Sequence, residues 1–112
     1  MIDPKAITEI IATYQKYGWV LRRVLLTTEL KNKLGADTAK IFGDTQVWDA
    51  DIDAAWFSRP PQPGGVAWEI RHLSENPYAL LENIDEESEG FEAALGSVES
   101  RLRESVSRVR SA

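Results

Sequence analysis

Apolar residues recur at steps of three and four near the start of the chain: Ile7, Ile10, Ile11, Tyr14 and Tyr17. On a helix they form one stripe. Asp3 supplies an N-cap, Pro4 suits the first helical position and Gly18 marks the C-terminal stop. The run WVLRRVLLT that follows has Leu21, Val24 and Leu25 at helical spacing. The break at Gly18 and the β-branched content nevertheless select a strand over residues 19–27. Thr27 or Thr28 then caps a short helix through TELKNKL, closed by Gly35, and residues 35–46 read as a connection.

From Val47 the period changes to two. Trp48, Ala50, Ile52, Ala54 and Trp56 alternate with Asp49, Asp51 and Asp53, which is the pattern of a half-buried strand, at least from Ile52 to Ser58. RPPQPGG over residues 59–65 cannot continue a ladder, because its prolines lack backbone donors, so it reads as a hairpin loop. GVAWEIRHL places Val66, Trp68, Ile70 and His72 on one face; SENP makes a turn and YALLENI supplies a further strand. A last helix is expected from about Asp85, with Phe91, Leu95, Val98, Leu102, Val106 and Val109 forming its apolar stripe. Glu86 and Glu87 in its first turn and arginines near its end match the helix dipole, while Gly90 and Gly96 weaken its first half.

The expected architecture is an α+β domain spanning residues 1–112. An antiparallel sheet of about four strands, with a meander from 47 to 85, carries its helices on one face. Those helices are an N-terminal helix, a short helix after strand 1 and a long C-terminal helix. The length of 112 residues is that of one domain.

Charge is unevenly distributed. Residues 1–44 hold seven basic and five acidic side chains, residues 45–92 two and eleven, and residues 93–112 four and two. The net charge of −5 therefore conceals an acidic middle between two mildly basic ends. A sheet region this acidic is a poor match for phosphate backbones or anionic membrane surfaces, so no nucleic-acid or membrane partner is expected. No apolar run approaches the ~20 residues needed to span a bilayer, and the N-terminal residues lack a signal-peptide pattern, so a soluble cytoplasmic protein is expected.

The chemistry-bearing residues are few. Without cysteine there is no thiol nucleophile, disulfide or cysteine-bearing zinc site. DADIDAAWFSRP starts like a calcium loop, with Asp49, Asp51 and Asp53 at alternate positions, but Ala54 and Pro60 stand where that loop needs glycine and glutamate. No metal or cofactor is expected. His72 is the only histidine, so any imidazole mechanism must use it, and no nucleophile elbow or phosphate-binding glycine motif accompanies it. No catalytic residue is assigned.

Two surfaces remain as candidates. Trp56, Trp68, His72 and Tyr78 make the strand region aromatic and suit either a core or a small-ligand pocket. The C-terminal stripe of Val98, Leu102, Val106 and Val109 suits either the chain's own core or an interface. A helix from 85 to 110 would be ~39 Å long, against a domain diameter of ~34 Å for a chain of this size. A helix overhanging its own sheet implies a covering partner. The expected role is a non-enzymatic interaction domain, as a homodimer or with a protein partner, with ligand binding or catalysis near His72 as the alternative.

Overall fold

The computed structural model describes residues 2–59 and 66–111, with side chains to Ser107. Its helices are α1 (Pro4–Lys16), α2 (Thr28–Leu34), α3 (Asp37–Phe42) and α4 (Phe91–Ser111). Its strands are β1 (Val20–Leu26), β2 (Gln46–Asp49), β3 (Ala54–Ser58), β4 (Ala67–His72) and β5 (Ala79–Asn83). The strand order is β2-β1-β3-β4-β5; β1 and β2 run parallel and the other neighbours antiparallel.

The α+β class holds, but the sheet is mixed and five-stranded rather than antiparallel with about four strands. The alternating stretch from Val47 is not one strand. It breaks at residues 50–53 into β2 and β3, and β1 lies between them. A parallel β1–β2 pair requires a crossover, and α2 with α3 provides it. The six residues of α3 fall in the stretch read as a connection. Thr38 aside, they include Ala39, Ile41 and Phe42, and Phe42 is buried in the core.

The helices also cover both faces, not one. Every residue of β3 is buried, with Ala55 and Phe57 packed on the side of α1, α2 and α3, and Ala54 and Trp56 on the side of α4. A strand apolar on both faces must be covered on both. The three aspartates consequently leave the strand. Asp49 ends β2 and pairs with Lys31 at 3.1 Å, Asp51 pairs with Arg103 at 2.6 Å, and the Asp53 carboxylate accepts from the Thr27 backbone N–H at 2.7 Å.

Local chemistry sets the helix ends. Asp3 Oδ1 accepts from Ala6 N at 2.8 Å. Gly18, at φ +86°, turns the chain out of α1, which leaves Tyr17 beyond the stripe and 63% exposed. Helix α4 starts six residues later than Asp85. The Asp85 carboxylate caps Glu87 N at 3.0 Å and Ser88 Oγ accepts from Gly90 N at 3.1 Å, so side chains satisfy the backbone in turns there. The remaining 21 residues span ~31 Å, less than the 39 Å long axis of the molecule. The helix is thus shorter than the ~39 Å expected of residues 85–110.

A register shift between Leu21 and Arg23 sets both Arg22 and Arg23 opposite Trp56. Both arginines consequently reach the α4 side. Arg22 lies 4.8 Å from the Trp68 ring and pairs with Glu86 at 2.8 Å, while Arg23 lies 4.4 Å from the Trp48 ring and meets Glu92 with two bonds of 2.9 and 3.0 Å. Forked arginine–carboxylate pairs of this kind have defined geometry, and here they tie the beginning of α4 to β1. The consecutive arginines that interrupt the strand pattern are thus the mark of a bulge. No helix among the described residues is long and apolar enough to cross a membrane.

Candidate functional site

A cavity of about 600 Å³ lies at one end of the sheet. Five parts of the chain build it, four walls and Ile2 near the N-terminus. Thr27, the N-cap of α2, and Glu29 in the first turn form one wall. The Asp51–Asp53 turn forms a second, held by the Asp53 carboxylate on Thr27 N and by Leu73 N donating to the Asp53 carbonyl at 2.8 Å. His72, Leu73 and Ser74 at the end of β4 form the third, and Arg103, Val106 and Ser107 of α4 close the fourth. Apolar Ile2, Ile52, Leu73 and Val106 share the lining with these polar groups. Ile2 is fixed in place by Lys33 Nζ, which donates to its carbonyl at 2.9 Å.

His72 is 7% exposed, and its ring centroid lies 6.5 Å from that of Tyr78. Its backbone is held by its N–H donating to the Tyr78 carbonyl at 2.8 Å, and its carbonyl accepts from the Arg71 guanidinium. Arg71 also donates to the Asn76 carbonyl at 3.0 Å. It thereby braces the turn beside the cavity.

The four aromatic and imidazole candidates separate. Trp56, Trp68 and Tyr78 pack with the core on the α4 side, and of the four only His72 lines the cavity. The Trp56 and Trp68 rings meet edge to face at 6.1 Å, and Trp68 meets Phe91 at 5.2 Å. Val98 and Leu102 are buried in the same core. Val106 is half-buried at the cavity, while the side chain of Val109 and residues 60–65 of the loop expected at 59–65 lie outside the described residues. Thr27, Glu29, Asp53 and Arg103 were not legible as neighbours, since they are brought together from three distant segments.

A second cluster bridges α1 and β4. The Tyr14 hydroxyl donates to Glu69 Oε2, and the Tyr14 ring stacks on Phe57 at 4.1 Å. Burial, then the Glu69 carboxylate, pushes the Tyr14 phenol far above its ordinary range, and burial lowers the Arg71 guanidinium. A phenol held protonated is a hydrogen-bond donor rather than a nucleophile, so the cluster acts as a clamp. Among the described residues, no group of three or more carboxylate or imidazole side chains is arranged to hold a metal ion.

No model of a known protein family matches this chain, and neither a curated protein nor a solved structure does.

Proposed function

We propose that the chain is a non-enzymatic interaction domain that associates with a second copy of itself along the free edge of β5. The observation that carries this reading is Leu81, which is 59% exposed in a strand that pairs, among the described residues, with β4 alone. The five residues Ala79–Asn83 hold no lysine or proline, and their pairing with β4 runs without a register shift. Glu82, drawn into an ion pair with Arg101, is the one charge on this edge, and neither proline, lysine nor a bulge guards it against strand addition. The opposite edge, β2, is four residues long; its Trp48 indole N–H turns back to Gln46 Oε1 at 3.3 Å and its Asp49 pairs with Lys31.

Antiparallel addition of β5 to its copy, centred on Leu81, sets Leu81 against Leu81, Leu80 against Glu82 and Ala79 against Asn83. No like charges meet, and Glu82 is already paired with Arg101. The test is the mass in solution across a concentration series. The monomer is 12.6 kDa, and concentration-dependent doubling is expected. Leu81→Lys should abolish it while changing folding stability by no more than ~0.5 kcal/mol, since the side chain is exposed. A wild-type monomer at all concentrations, or an unaltered dimer in the variant, refutes the reading. Small-ligand binding beside His72 is a second reading, favoured by the cavity at that residue.

A further inference from the structure

We infer that the cavity at the end of the sheet is a binding site for a small organic ammonium ion with an apolar body. Its volume of about 600 Å³ lies within the ~300–1,000 Å³ range of small-molecule sites. Its described lining carries three carboxylates, Glu29, Asp51 and Asp53, against one guanidinium, Arg103. Asp51 and Arg103 satisfy each other at 2.6 Å; of the remaining described charges, Glu29 and Asp53 outnumber the Lys33 ammonium held on the Ile2 carbonyl, so the field at the cavity is negative. A concave wall of one charge sign concentrates its field in the opening and favours the opposite charge in a ligand.

The Asp53 carboxylate is placed for such a ligand before it arrives. One oxygen accepts from Thr27 N at 2.7 Å, and the residue's own carbonyl is held by Leu73 N. Preorganisation lowers the ordering cost of binding. The remaining lining is apolar where Ile52, Leu73 and Val106 meet the cavity. This surface suits a hydrocarbon body and gives a strongly hydrated inorganic cation nothing in return for its lost water.

The experiment compares three probes with the same six-carbon chain, hexylammonium, 1-hexanol and hexanoate, by following backbone amide NMR shifts of the full chain. Hexylammonium should give saturable shifts at Thr27, Asp53 and Ser74 and should bind about tenfold or more tightly than hexanoate, with hexanol between them. Asp53→Asn keeps the oxygen that accepts from Thr27, and Glu29 is exposed, so the double variant Glu29→Gln, Asp53→Asn retains the fold and should bring hexylammonium and hexanol to parity. Val106→Trp should block all three by filling the cavity. Absence of saturable shifts with hexylammonium at those amides, hexanoate binding equally well, or an undiminished ammonium preference in the double variant would each overturn the proposal. These readouts are independent of dimerisation through β5.

Discussion

Trp56 and Trp68 are neighbours on adjacent strands, 0% and 2% exposed, yet they differ in one respect that makes the same substitution costly at one and nearly neutral or stabilising at the other. The Trp56 indole N–H donates to Glu99 Oε2 at 2.8 Å, whereas the Trp68 N–H is buried with no hydrogen-bond partner among the described residues. Replacing either by Phe removes roughly 40 Å³ from the core, worth about 1 kcal/mol at ~24 cal/mol per Å³ of unfilled cavity. Trp56→Phe also loses a hydrogen bond to a charged acceptor, normally worth ~1.5–3 kcal/mol, with the low end appropriate because Glu99 can regain water. Its total cost is about 2–3 kcal/mol. Trp68→Phe instead relieves an unsatisfied donor that costs ~1–3 kcal/mol. Against this it weakens the stacking of Arg22 by about 0.5 kcal/mol, as Phe is the poorer cation partner. The net effect runs from ~0.5 kcal/mol destabilising to ~1.5 kcal/mol stabilising. Urea unfolding followed by circular dichroism gives both values, provided the transitions are two-state with a common slope. A Trp68→Phe variant as unstable as Trp56→Phe, or more so, refutes the assignment of an orphaned indole N–H.

Two further outcomes follow from the α1 clamp and the glycines. Because the folded-state pKa of Tyr14 is raised, its stabilisation is complete below the unfolded tyrosine value of ~10 and is lost as pH rises towards the folded value. Above pH ~10 the wild type should therefore lose stability faster than Tyr14→Phe, by at most ~1.4 kcal/mol per pH unit, and parallel curves of urea midpoint against pH would contradict this. Gly96 lies inside α4 with nothing within 4 Å of an added Cβ, so Gly96→Ala should raise stability by about 0.5–1 kcal/mol. Gly18, at φ +86°, should show the reverse, with Gly18→Ala costing ~1 kcal/mol; thermal melting of the pair checks the contrast in sign.

Short-range chemistry made much of this protein legible from its residues. Asp3, Pro4 and Gly18 bound α1, Thr27 and Gly35 bound α2, and the stripe through Leu95, Val98 and Leu102 does bury one face of α4. Each signal acts within one or two helical turns, where side chain and backbone meet whatever the rest of the chain does. The alternation at 47–58 misled because a period of two states only that successive side chains oppose each other. It does not say that the strand is continuous or which strand lies beside it. Asp51 and Asp53 kept that rhythm while serving a turn, through Arg103 and the Thr27 backbone.

Layering and the site belong to the tertiary structure. Two apolar faces on β3 called for two layers of helices, but nothing local assigned α1, α2 and α3 to one side and α4 to the other. The cavity has the same origin. Thr27, Asp53, His72 and Arg103 become neighbours because β1, β3 and β4 end together and α4 crosses above them, and residue types alone carry no distance. Composition determined that the middle of the chain is acidic. Only the fold decided which of those carboxylates pair with arginines, as Glu86, Glu92 and Asp51 do, and which, like Asp53, line the cavity without one.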